Sequence, residues 1–170
     1  MSADALLLAF LAAAVTFAGF TGVVSLIDRR AAHVSQAVLA WRVRNLNVAV
    51  LQVLVLCTLP FVLSAYELAE DVVWRIACGV AAFIGAFYIG YLYRGRTRLA
   101  HQSIEGFANT QFRVLTAIGI LVVGSLAAGS VDLIPAKGTF LLGAFYFLVA
   151  VVSFFVRLVL MLDASIQNRE

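Results

Sequence analysis

Five long apolar runs, separated by short polar segments, set the pattern of this chain. They lie at about 5–27, 46–66, 72–93, 112–131 and 138–162. Each run is about twenty residues or longer, the length that an α-helix needs to cross the hydrocarbon core of a membrane. Strands of a transmembrane β-barrel would instead alternate apolar and polar residues over roughly ten positions. The pattern therefore predicts an all-α fold: a single bundle of five transmembrane helices that takes up the whole chain.

The composition agrees with a membrane protein and changes how the net positive charge is interpreted. The chain has 170 residues, of which 64% are hydrophobic and 12% are charged, whereas soluble domains are about 25% charged. A soluble domain of this size cannot bury so many apolar side chains in its core. Most of them are therefore expected to face lipid. The net charge of +3 then indicates contact with anionic lipid headgroups, and no nucleic-acid partner is predicted.

The distribution of arginine predicts the orientation, because cytoplasmic loops of membrane proteins are enriched in Lys and Arg. Segments 28–45 and 94–111 are rich in arginine, whereas segment 67–71 is purely acidic. This places the N-terminus outside and the C-terminus in the cytoplasm, and the short loops favour a bacterial-type inner membrane. The residues expected to face headgroups are Arg29, Arg30, Arg42, Arg44, Arg94, Arg96 and Arg98.

Two local expectations accompany this topology. Segment 31–45 has apolar residues at helical spacing beside arginines, which predicts an interfacial amphipathic helix or an extension of a membrane span. The alternative is a solvated linker whose arginines only orient the chain. Near the outer face, Asp71 precedes Arg75 by four residues, the spacing at which opposite charges meet on one face of a helix. A local ion pair is predicted there.

Small residues four positions apart let membrane helices approach closely, and the spans contain several such pairs. They predict helix packing, either within the chain or with a second chain. The residues assigned to packing are Ala18, Gly22, Ala81, Gly85, Gly90, Gly124 and Gly129.

Arg157 interrupts the last apolar run and is the least expected residue in the spans. At 1.5 Å per residue it lies roughly 28 Å into a core about 30 Å thick, so its guanidinium can snorkel to the interface. Alternatively, it joins an intramembrane polar cluster with Asn47, Gln52, Thr116 and Ser153, which lie at similar depth. Such a cluster would either fasten helices together or line a pathway.

Motifs of catalysis and of metal or cofactor binding are missing from the sequence. His33 and His101 lie in separate polar segments, and Cys57 and Cys78 have no CxxC spacing, so no metal site, no cofactor and no catalytic residue is predicted. Neither a nucleophile elbow nor a phosphate-binding loop is present. We therefore expect the protein not to be an enzyme.

Two functional hypotheses follow. The first is a non-catalytic membrane protein that assembles with itself, or as a small subunit with a larger membrane protein. The second is a small channel or transporter for an anionic or neutral solute, built around Arg157. No acidic residue lies within the five runs, which disfavours proton or cation relays. The first hypothesis requires nothing that the sequence lacks, and it is preferred.

Overall fold

A computed structural model describes the backbone of residues 2–27, 36–100 and 109–167, and the side chains of 2–20, 41, 43–95 and 113–160. The regular structure in this part of the chain is helical. The helices are α1 (Ala3–Ile27), α2 (Gln36–Ser64), α3 (Glu70–Ala100), α4 (Asn109–Ser130) and α5 (Ala136–Gln167).

Each helix contains a stretch that is long and apolar enough to cross a membrane. The stretches are Ala3–Phe20, Val43–Ser64, Glu70–Gly95, Arg113–Ser130 and Ala136–Leu160. The prediction of an all-α chain with five membrane-length helices is confirmed, and these helices indicate a multi-pass membrane protein. A helix suits this role because all its interior backbone N–H and C=O groups bond within the segment.

Three helices extend beyond the apolar runs that predicted them. Helix α2 begins at Gln36, ten residues before its run, while α3 and α5 continue to Ala100 and Gln167. The turns added to α2 and α3 contain Ala, Leu and Arg, residues that favour helix. Residues 36–45 therefore extend a span, one of the alternatives for that segment, whereas 28–35 lie outside the described residues.

The ends of two helices show how local sequence stops or starts them. Ser2 caps α1, since its hydroxyl oxygen accepts the backbone N–H of Ala5 at 3.2 Å. Helix α4 ends in a Schellman motif, in which the N–H of Leu133 bonds to the carbonyl of Ala128 at 3.0 Å. Asp132 takes the left-handed position of that motif, with φ of 64°. Glycine is usual there, but aspartate tolerates this region better than most residues.

The chain forms two compact units, which we call the terminal unit (residues 1–55 and 147–170) and the central unit (residues 56–146). In the terminal unit, α1 packs on α5 through aromatic rings: the ring of Phe155 lies 5.3 Å from that of Phe17 and 6.0 Å from that of Phe20. Buried side chains of this unit include Leu7, Ala14, Leu46, Val53, Val151 and Leu158.

In the central unit, α3 and α4 pack against each other, and the first part of α5 joins them at small residues. A Cβ atom on Gly129 would lie 3.3 Å from the Sγ of Cys78, and one on Gly143 would lie 3.0 Å from two methyl carbons of Leu126. Near the start of α3, the ring of Trp74 lies 5.7 Å from that of Phe140. Glycine thus sets the distance between these helices.

Candidate functional site

The polar residues predicted on α2 point to different faces of that helix. Asn47 is exposed, whereas Gln52 is buried, because five residues turn an α-helix by about 140° from the starting face. The residue that shares the buried face with Gln52 is Asn45, seven positions earlier and fully buried. The Oε1 of Gln52 accepts no hydrogen bond from the residues that the structure describes.

Asn45 is the residue that sequence reasoning missed on this helix. It belongs to a stripe of buried residues at helical spacing, with Trp41, Ala49, Gln52 and Leu56. The signal was present in the sequence as a spacing of four, four, three and four residues. It was obscured because Asn45 precedes the apolar run rather than lying inside it.

On α5, Ser153 and Arg157 lie one helical turn apart, as predicted. The hydroxyl of Ser153 donates to the carbonyl of Val149 at 2.8 Å, a bond within its own helix. Arg157 is half-buried and lies three residues before the end of the apolar stretch. Thr116, the remaining member of the predicted polar cluster, is half-buried in the central unit.

The small residues predicted to pack helices divide into two groups. Ala81, Gly85 and Gly129 are buried, whereas Gly90 and Gly124 are exposed, and a Cβ atom on either exposed glycine would meet nothing within 4 Å. The remaining two lie on α1, where Ala18 is half-buried and the side-chain position of Gly22 is outside the described residues.

The exposed small residues on α3 form what we call the α3 outward face. It consists of Ala86 and Gly90, four residues apart and both exposed, with Phe83 and Phe87 beside them. These two phenylalanine side chains are 75% and 72% exposed. Two small residues beside a ridge of two large rings leave a shallow notch along the helix, a shape into which a second helix can pack closely.

A hydrogen bond from α5 to the backbone of α4 requires another glycine, Gly119. The hydroxyl of Tyr146 donates to the carbonyl of Leu115 at 2.6 Å. A Cβ atom on Gly119 would lie 2.6 Å from that hydroxyl oxygen, too close for the Tyr146 side chain to keep its position. Because Gly119 has no side chain, it leaves room for this polar contact between α4 and α5.

At the start of α3, the predicted ion pair between Asp71 and Arg75 is confirmed, with an N–O distance of 3.4 Å. A closer partner of Arg75 is Asp132, in the loop between α4 and α5, at 2.7 Å. A second pair joins Lys137 to Glu70 at 2.7 Å. Asp132 lies 57 residues from Arg75 along the chain, and Lys137, in the first turn of α5, lies 67 residues from Glu70. Only the local pair was therefore visible in the sequence.

Trp74 completes this charged cluster. Its indole N–H donates to Glu70 at 3.3 Å, and the ammonium of Lys137 lies 5.4 Å from the centre of its ring. All four charged side chains of the two close pairs are at least 39% exposed. Water screens exposed pairs of this kind, so each contributes little to stability. The cluster therefore aligns the α4–α5 loop with α3 more than it stabilises the fold.

The arginines expected to face headgroups are described only in part. Arg44 and Arg94 are exposed. Arg42, Arg96 and Arg98 lie within helices, but their side chains are outside the described residues, as are Arg29 and Arg30 altogether. Arg44 lines an open groove on α2 together with Val43, Asn47, Val48 and Leu51.

The cysteines behave as small buried residues. Cys57 and Cys78 are free thiols, and the Sγ of Cys78 donates to the carbonyl of Ala136 at 3.2 Å. Within the described parts of the chain, no three His, Cys, Asp or Glu side chains come close enough together to hold a metal ion. No protein-family model, curated protein or solved structure matches the chain.

Proposed function

We propose that this chain is a non-catalytic integral membrane protein whose function is lateral assembly in the bilayer, with copies of itself or as a small subunit of a larger membrane complex. The observation that carries the proposal is the α3 outward face, where Ala86 and Gly90 are exposed beside the exposed rings of Phe83 and Phe87. In lipid, helices associate through close van der Waals packing at small residues, because apolar area alone gives no preference for protein over lipid.

The geometry favours assembly over a conduit. A pathway lined by the predicted polar cluster needs Asn47 and Gln52 on one face of α2, but one is exposed and the other is buried. The hydroxyl of Ser153 is already bonded within α5. A conduit that depended on Arg157 would lose solute flux in Arg157→Leu while keeping its assembly, so a flux assay on that variant separates the two functions.

The proposed orientation places the N-terminus outside and the C-terminus in the cytoplasm of a bacterial-type inner membrane. The charged cluster supports it, since Arg75 near the start of α3 and Lys137 at the start of α5 each have a carboxylate partner. Most of the arginines are instead concentrated in the segments assigned to the cytoplasm. A C-terminal reporter that is active only in the cytoplasm should be active in fusions, and an inactive reporter with full expression would reverse the orientation.

Native mass spectrometry tests the assembly. The tagged full chain is released from its host membranes without stripping lipid, and its mass is compared with that of Gly90→Leu. We expect wild type to show a homo-oligomeric or heteromeric mass and Gly90→Leu to shift to the monomer, because the isobutyl group fills the notch. The matched control is Gly19→Leu on α1, an exposed glycine with nothing within 4 Å of its Cβ position and no small residue four positions away.

Either of two results would contradict this proposal. A wild-type protein that is monomeric in its own lipids has no assembly to explain. A Gly90→Leu protein that keeps the wild-type mass would show that the α3 outward face is not the contact. Ala86→Leu serves as the second variant on the same face, and helical circular dichroism confirms that each variant is folded.

A further inference from the structure

Asn47 is an exposed polar residue inside the membrane-length part of α2. The apolar stretch of this helix begins at Val43, so Asn47 lies about one turn, roughly 6 Å, within it. Its amide has no hydrogen-bond partner among the residues that the structure describes. Hydrocarbon neither donates nor accepts hydrogen bonds, so an amide at this depth favours a contact that does both.

The groove around Asn47 has the spacing of a hole for a helix side chain. Four of its lining residues are Arg44, Asn47, Val48 and Leu51, which occupy positions i, i+3, i+4 and i+7 of α2. In the packing of paired helices, four residues of one helix form the hole that receives a side chain of the facing helix. The groove therefore fits a second helix that runs alongside α2.

Depth and hydrogen-bonding capacity favour a second copy of this chain as the source of that helix. Two copies with the same orientation in one membrane hold Asn47 at the same depth, and a two-fold axis along the membrane normal brings the same face of α2 together. In such a parallel pair, the side chain that faces the groove is Asn47 of the second copy. The asparagine amide both donates and accepts, so two of these amides satisfy each other.

Charge does not require a different partner. Arg44 already has an interaction within the chain, so the facing helix does not have to supply a carboxylate. The aliphatic stem of an arginine also covers apolar surface while its charged end extends towards water.

We propose that α2 pairs with α2 of a second copy through Asn47. The two Asn47 amides bond to each other across the two-fold axis, each within the groove of the other copy. The pairing rests on the proposed function in that both require assembly, but its contact is separate from the α3 outward face. Interhelical hydrogen bonds in membranes are modest in strength, so we expect the pairing to hold in the membrane rather than after release from it.

Variants of the full chain in membranes of host lipid test this pairing. Asn47→Leu removes the amide while keeping a side chain of similar size, and Asn47→Gln keeps an amide. The matched control is Thr16→Val on α1, which removes an exposed hydroxyl that is already bonded to the carbonyl of Ala12 in its own helix. Self-association is measured by energy transfer between copies labelled at the C-terminus, as the protein is diluted with lipid.

We expect Asn47→Leu to weaken self-association by about five- to tenfold, the combined effect of two interhelical hydrogen bonds of average strength. Asn47→Gln should weaken it less, and Thr16→Val should leave it unchanged. Transfer that Gly90→Leu abolishes and Asn47→Leu does not change would overturn the pairing and leave the α3 outward face as the contact. Wild type without transfer would also overturn the pairing, whereas assembly with a different protein would still be decided by the mass measurement.

Crosslinking locates the contact independently of its strength. Leu51→Cys places a thiol on each copy one turn from Asn47, and a membrane-permeable oxidant should join the two copies in a covalent dimer. Val15→Cys is the control, because its position on α1 is 56% exposed, close to the 59% at Leu51, and it should give only the wild-type background. Equal dimer yields at the two positions, or a crosslink from position 51 to a different protein, would overturn the assignment to a second copy.

Discussion

On helix α3, Ala81 and Gly85 face the interior of the protein, whereas Ala86 and Gly90 face outward. The two pairs have the same four-residue spacing and lie five residues apart, which rotates one about 140° from the other. As sequence motifs they are equivalent. Only the folded structure distinguishes them: Ala81 and Gly85 pack within the chain, whereas Ala86 and Gly90 are available for contact with a second chain.

Helix α5 repeats this contrast with single glycines. A Cβ atom on Gly143 would press on the buried Leu126, whereas one on Gly138 would meet nothing within 4 Å. Inward small residues thus set helix distances in the monomer, and outward ones leave shallow notches on its surface. The comparison can be tested by substituting larger residues at matched positions on the inward and outward faces.

The largest effect is expected from Ala81→Leu. Ala81 is 1% exposed, so three added carbon atoms overpack the seam and should lower the free energy of unfolding by about 1–3 kcal/mol. Ala86→Leu on the outward face should change it by no more than about 0.5 kcal/mol. Denaturant unfolding in mixed micelles that keep the chain monomeric measures both, and equal losses would remove the distinction between the two pairs.

A smaller effect is expected from Gly143→Ala. Its Cβ would lie 3.0 Å from two methyl carbons of Leu126, which is fully buried and has little room to move. The packing cost exceeds the gain in helix propensity, leaving a net loss of about 1 kcal/mol. Gly138→Ala has the propensity gain alone and should stabilise the helix by about 0.5–1 kcal/mol. Stabilisation by both substitutions would show that the α4–α5 contact is loose.

The smallest effect is expected at the exposed charged cluster. Arg75→Gln removes the pairs with Asp71 and Asp132, whose side chains are largely exposed, so the loss should be about 0.5 kcal/mol. The difference from wild type should vanish in 1 M salt, where the Debye length is about 3 Å. Unfolding at two salt concentrations measures it, and a salt-independent loss above about 2 kcal/mol would place this cluster among the structural contacts of the fold.

Sequence reasoning found part of the candidate sites. It found the local ion pair of Asp71 and Arg75, because helical spacing alone brings these residues together. It missed Asp132 and Lys137 as partners, because residues 57 or more positions away meet α3 only in the folded chain. It also grouped Asn47 with Gln52 by depth, although rotation about the helix axis places them on different faces.

The sequence by itself determined the helices. An apolar run of membrane length must bond its own backbone groups within the segment, so the existence and approximate bounds of five helices follow from local composition. Which small residues are inward, and why Gly119 admits the hydroxyl of Tyr146, were decided only by tertiary structure. These features depend on side chains that are distant in sequence. Local composition does not predict them, because a helix surface that faces lipid and one that faces protein are equally apolar.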